Sequence, residues 1–145
     1  ETVFAYVMDV SNDANWRTGI DESGWQTGES TAPGALGYTL VGKNKVEWRV
    51  VSYVEGESVE WDLISGPIRG RGGYRCVPVN GGTQFTLVAD VEPTGWLKLL
   101  GPIFGWMGRR QNQADVERLR DILESEVLVE RFNACVASTG YPRCR

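Results

Sequence analysis

Val46-Glu47-Trp48-Arg49-Val50, Ser58-Val59-Glu60-Trp61-Asp62-Leu63 and Gln84-Phe85-Thr86-Leu87-Val88-Ala89-Asp90-Val91 decide the fold of this chain. Apolar residues recur at every second position: Val46, Trp48 and Val50, then Val59, Trp61 and Leu63, then Phe85, Leu87, Ala89 and Val91. Period two with one apolar face describes an antiparallel sheet covered on one side. Glu55-Gly56-Glu57 and Asn80-Gly81-Gly82 have the composition of hairpin turns. Gly70, Gly72 and Gly73, set among Arg69, Arg71 and Tyr74, imply a bend, a bulge or the close approach of another group. They form no phosphate loop, because neither glycine spacing is present and no helix follows.

After the sheet comes Trp96-Leu97-Lys98-Leu99-Leu100-Gly101-Pro102-Ile103-Phe104-Gly105-Trp106-Met107. Its apolar stripe (Trp96, Leu99, Leu100, Ile103, Phe104, Met107) continues through Gln111, Ala114, Leu119, Ile122 and Leu123, which predicts one long helix, charged on its other face from Arg109 onward. Gly101-Pro102 should kink or loosen its first turns. Together, sheet and helix carry more apolar surface than a dry core of this size needs, so they predict a cavity between them. Upstream, Val3, Phe4, Val7 and Met8 recur at helical spacing over Glu1 to Val10, and Ser11-Asn12-Asp13 breaks that helix. A short turn over Ala14 to Thr18 should hold Trp16. Strands are expected over Ile20 to Glu29 and Ala35 to Val41, the second ended by Gly42-Lys43-Asn44.

The 145 residues suit a single domain with a real core. Net charge is −4 and the basic residues are scattered, so no nucleic-acid partner is expected. The chain contains no histidine, which excludes histidine-based triads, general bases and metal sites. Catalysis would have to rest on carboxylates, Tyr, Lys, Arg or Cys. Cys76, Cys135 and Cys144 lack metal spacing, and neither a metal nor any other cofactor is expected. Cys76 alternates with Tyr74 and reads as a small buried hydrophobe; Cys135 and Cys144 are open to pairing in the tail, with reduced thiols the expected state. The run Trp96 to Met107 is too short and too interrupted for a membrane span. No signal-peptide pattern is read at the start, so the expected location is cytoplasmic.

The order of elements is that of the helix-grip fold. Glu1-Thr2-Val3-Phe4-Ala5-Tyr6-Val7-Met8-Asp9-Val10 followed by Trp16 resembles the first helix of the START-like superfamily, in its polyketide cyclase/dehydrase and lipid-transport branch (SRPBCC). Trp48, Trp61, Gly72-Gly73-Tyr74-Arg75, Thr83-Gln84-Phe85-Thr86-Leu87 and the helix with Arg109-Arg110-Gln111 are similar to the same branch, over about residues 1 to 126. The resemblance implies an α+β domain in which a curved seven-stranded antiparallel sheet grips the C-terminal helix around a hydrophobic cavity. It also implies that lipids, polyketides, quinones or hormones are the ligands of its members. The family's first strand has no counterpart here, and its loss from near the middle of the sheet should leave two neighbours with unpaired backbone groups. Residues 127–145 have no counterpart either. They are expected as a weakly ordered extension, with Val127 to Phe132 offered as a replacement strand.

By alternation, Trp48, Val50, Trp61, Leu63, Tyr74, Phe85, Leu87 and Ala89 should face the helix, and Leu100, Phe104, Met107 and Gln111 should face back to complete a ligand-binding wall. Any one of them is equally explained as plain core. Six tryptophans in so small a domain favour a wall, because large rigid rings span space and offer contact area. Gln111 interrupts the stripe with a group able to bond a ligand carbonyl, or simply marks where the stripe meets solvent. Glu47, Arg49, Asp62 and Asp90 fall on the outer face, which argues against acid–base chemistry there. The expected function is binding or carriage of a hydrophobic small molecule without catalysis. The alternative is a polyketide cyclase or dehydratase acting by substrate positioning, and residues 96–107 offer a surface for transient membrane contact. Oligomeric state is open.

Overall fold

The computed structural model describes residues 2–27 and 31–139, with side chains described over 3–27, 31–95, 98–99 and 107–126. Two short helices, α1 (Thr2–Met8) and α2 (Asp13–Trp16), flank a 3-10 turn at Val10–Asn12. The Asp9 side chain caps that turn by accepting a hydrogen bond from the Ser11 amide at 3.2 Å, which ends α1 where the polar run predicts. Six strands follow: β1 (Glu22–Trp25), β2 (Leu36–Val41), β3 (Asn44–Val54), β4 (Ser58–Ser65), β5 (Ile68–Val79) and β6 (Gly82–Pro93). A 3-10 segment, Gly95–Leu100, then leads into α3 (Gly101–Thr139). Pro102 therefore sits in the first turn of α3, where its missing amide costs no intrahelical bond, instead of kinking the helix from within.

Every strand pairs antiparallel with its sequence neighbour, in the order β1-β2-β3-β4-β5-β6. The ladder is unbroken, and among the described residues its free edges are β1 and β6, two strands that each keep one side of unpaired backbone groups. Gly56 and Gly81 take left-handed φ values of 73° and 84° in their hairpins, as the turn compositions require. Val127 to Phe132 continue α3 as helix, which corrects their expectation as a replacement strand, and the boundary expected after residue 126 falls within the same helix. The side chains of Val127 to Phe132, Cys135, Leu100 and Phe104 are outside the described ones, while Glu1 and Cys144 lie outside the described residues altogether.

The register slips between Val50 and Ser52, so Val51 is an extra residue opposite β4. This bulge reverses the parity of β3, and Tyr53 rather than Ser52 turns toward the core. No slip occurs along β5. Its glycines instead answer to close approach: a Cβ at Gly72 would lie 2.6 Å from the Trp61 indole nitrogen. Gly37 plays the same part in β2, where a Cβ would overlap the six-membered ring of Trp48. Trp25, Gly37 and Trp48 are direct cross-strand neighbours, so the two indoles close over the glycine with centroids 5.0 Å apart. The core proper is formed by Val7, Trp16, Trp48, Val50, Val59, Tyr74 and Leu119.

On the convex face Glu47 ties the residue after β1 to β3 and β4. Its Oε1 accepts from Gln26 Nε2 at 2.9 Å and from Lys45 Nζ at 3.1 Å, and its Oε2 accepts from Ser65 Oγ at 2.8 Å. The Gln26, Ser65 and Lys45 hydrogen bonds, in that order, hold its carboxyl at about 2. A depressed carboxylate contributes stability above its ordinary value near 4.5, and that contribution is lost as pH falls toward 2. Glu47→Gln should therefore melt below the wild type at neutral pH, with the gap closing by the acid end of this window. Thermal scans followed by circular dichroism test this, and a gap constant with pH would assign the effect to something other than ionisation.

Candidate functional site

A cavity of about 310 Å³ lies between the concave face of the sheet and the helices. Val7, Met8 and Val10 close it on the α1 side, and Gly108, Gln111, Asn112 and Asp115 on the α3 side. Its floor is aromatic because inward positions on consecutive strands bring rings into contact. Trp25 of β1 meets Trp48 of β3, which stands 6.3 Å from Trp61 of β4, itself 4.7 Å from Tyr74 of β5. For comparison, an engineered cavity of roughly 150 Å³ admits benzene.

Trp48, Val50, Trp61, Leu63, Tyr74, Leu87, Ala89 and Gln111 all line this cavity. Phe85 does not. It packs against Tyr74 and Trp16, with centroids 5.5 and 6.0 Å away, and borders a separate groove with Val3, Val116, Leu119 and Leu123. Met107 is 56% exposed and lines neither space. Gln111 sits at the rim, where its Nε2 donates to the Thr18 carbonyl at 2.8 Å. Glu47, Arg49, Asp62 and Asp90 border the outside of the sheet or its surface groove, away from the cavity.

The cavity also holds charges that apolar periodicity does not reveal. Asp13, at the start of α2, is 5% exposed, and Asp115 of α3 is 2% exposed. Arg17, one residue beyond α2, reaches the same wall with its guanidinium 5.7 Å from the centre of the Trp16 ring. Asp115 is committed to holding the fold together. Its Oδ1 accepts from the Thr18 amide at 3.0 Å and from the Thr18 hydroxyl at 2.6 Å, docking α3 on the loop before β1. Asp13 accepts a hydrogen bond from Ser23, and Arg17 is hydrogen-bonded to the Tyr74 side chain. Oδ1 of Asp13 and Nε of Arg17 are buried without a hydrogen-bond partner, and among the described residues no direct ion pair joins Arg17 to either carboxylate.

Burial pushes the Asp13 carboxyl above its ordinary value, against the lowering pull of Arg17 and of a hydrogen bond from Ser23. Burial also drives Tyr74 well above the usual phenol range, so its hydroxyl stays neutral. For Arg17 burial opposes the charge, but Tyr74, Asp13 and Asp115 outweigh it and the side chain remains a cation. Nearby, the Trp48 indole N–H donates to Thr39 Oγ1 at 3.1 Å, and Thr39 shares a 3.0 Å hydrogen bond with Ser23.

Asp13 was hidden in a run that reads only as a helix breaker, and Asp115 beside an alanine that hydropathy prefers. The usable signal was spacing, since Gln111, Asp115 and Leu119 succeed one another at i+4 along the stripe. Among the described residues, no cluster of Asp, Glu and Cys has the geometry of a metal site, and no helix is long and apolar enough to cross a membrane. A family model described as polyketide cyclase / dehydrase and lipid transport matches residues 1–124. No curated protein matches the chain.

Proposed function

The chain belongs to the polyketide cyclase/dehydrase and lipid-transport family, and from that premise we propose that it binds a small, mainly apolar molecule in the cavity under its sheet. The observation that carries this reading is the cavity of about 310 Å³ floored by Trp25, Trp48, Trp61 and Tyr74. An aromatic ligand with the area of an indole, roughly 150–250 Å², would gain about 4–6 kcal/mol from burial at roughly 25 cal/mol per Å². Lost freedom on binding offsets part of that gain. No chemical step is required of the protein.

The domain that does this is residues 1–126 in our reading, with 127–145 as an extension, working in the cytoplasm. Loading from a bilayer through residues 96–107 belongs to the same proposal, supported by Leu99, which is 86% exposed beside Lys98. A second reading draws on a specific feature of the wall. Tyr74 and Arg17 present a neutral hydroxyl and a fixed cation to the same space, a pair suited to polarising carbonyls of a polyketide-like substrate held for cyclisation.

The deciding experiment incubates the purified protein with a lipid extract and identifies by mass spectrometry what co-purifies. Carriage predicts one apolar species near stoichiometric amounts. If nothing is retained, and apolar probes leave tryptophan emission unchanged, carriage is wrong and the cyclase reading takes its place.

A further inference from the structure

We infer that the indole N–H of Trp61 is the hydrogen-bond donor by which the cavity selects its ligand, and that it takes a neutral carbonyl oxygen, as in a ketone, an ester or a quinone. The inference rests on the cavity-binding reading and adds to it the chemistry of the ligand's polar atom.

The indole nitrogens around the cavity differ in state. That of Trp48 is spent, since it donates to Thr39 Oγ1 at 3.1 Å. That of Trp16 is sealed, buried without a partner in a side chain that is 0% exposed. That of Trp61 is neither: among the described residues it has no hydrogen-bond partner, and it is not sealed. Trp61 is half-buried on the concave face of β4, a strand flanked on both sides, and it lines the cavity. The surface left to it on that face is cavity surface.

Gly72 keeps the nitrogen uncovered. It pairs directly with Trp61 across β4 and β5 and lines the same space, and a Cβ there would lie 2.6 Å from the indole nitrogen. Any other residue at this place on β5 would set a side chain over the N–H. The bare glycine and the free donor thus form one arrangement.

An indole N–H only donates, so the ligand has to accept. A carbonyl oxygen does so without bringing a donor of its own. A hydroxyl accepting there leaves its own O–H over a floor of rings, a costly state away from water. A carboxylate also accepts, but the wall sets Asp13 and Asp115 against Arg17, and this excess of negative charge repels an anion. A bare hydrocarbon leaves the donor unanswered.

Isothermal titration calorimetry with tetralin, 1-tetralone and tetralin-1-carboxylate tests this, because the ligands share one bicyclic body. The decisive variant is Trp61→Phe, which keeps a ring and loses the N–H. It should weaken 1-tetralone about five- to tenfold, as loss of one hydrogen bond requires, while tetralin changes by less than about twofold. A merely structural role would weaken both alike. In the infrared, the carbonyl stretch of bound 1-tetralone should fall below its position in a hydrocarbon solvent, and the shift should vanish in Trp61→Phe. If that variant does not fold, the stretch on the wild type decides alone. Equal weakening of tetralin and 1-tetralone, an unshifted stretch, or a shift that persists in Trp61→Phe overturns the donor and leaves the apolar cavity standing. Tightest binding of the carboxylate overturns it as well. Binding of none of these ligands to the wild type removes the cavity reading and the donor with it.

Discussion

Replacing Arg17 with methionine should destabilise the protein by about 3 kcal/mol at neutral pH, since removing one partner from a buried charge cluster leaves the other charges uncompensated. The loss should depend on pH with a definite sign. Burial already raises Asp13 above its ordinary value, and Arg17 is the main influence holding it down. Without the guanidinium the carboxyl rises further. A carboxyl whose folded value exceeds its unfolded one makes the folded state the better proton binder, so stability falls as pH rises through that interval. The interval is wider in Arg17→Met than in the wild type. The cost of the substitution should therefore be greatest above it and shrink as the solution is acidified and Asp13 takes up a proton. Urea titrations on both sides of the interval measure this. An equal cost at both pH values would mean that Arg17 acts through packing of its stem on Trp16, not through charge.

Gly37→Ala should be a damaging addition of a single carbon to the sheet. The new Cβ would overlap Trp48, whose ring is held on one side by Trp25 and through its indole N–H by Thr39. Overpacking of a tight site costs about 1–3 kcal/mol, and the open space available to the displaced indole is the cavity itself. Loss of stability and loss of ligand binding should thus arrive together. A double-mutant cycle separates this collision from backbone effects. In a Trp48→Leu background the alanine should be neutral or stabilising by roughly 0.5–1 kcal/mol, because alanine suits a strand interior better than glycine. A full penalty persisting in that background would overturn the steric account.

Sequence pattern reached the sheet because the sheet obeys a local rule. Trp48, Trp61 and Leu87 face the cavity simply by being an even number of residues from other inward positions on the same strand. The Val51 bulge escaped that rule, since one extra residue leaves no mark in composition, and Tyr53 turns inward as a result. Phe85 shows a different limit: alternation placed it on the correct face, but only the position of Trp16 determines that it meets core and not cavity. The charges were illegible for a deeper reason. Asp115 is buried because Thr18, 97 residues away in the chain, satisfies it. A periodicity that counts only apolar residues assigns such a position to solvent. Polar burial is a property of pairs, and pairs this distant are not written in any local window.

The ring-to-ring contacts running from Trp25 through Trp48 and Trp61 to Tyr74, and on to Trp16 at 5.8 Å, also have an optical consequence. Indoles this close exchange excitation before they emit, so light absorbed at one end of the row can leave from the other. A quenching molecule touching Trp61 alone should darken the whole row, and polarised emission should be weak even while the protein tumbles slowly. The same fixed, asymmetric stacking should give intense near-ultraviolet circular dichroism that fades as soon as side-chain packing loosens, before the backbone signal changes. The protein thus carries its own reporter of occupancy and of tertiary order, with no label attached.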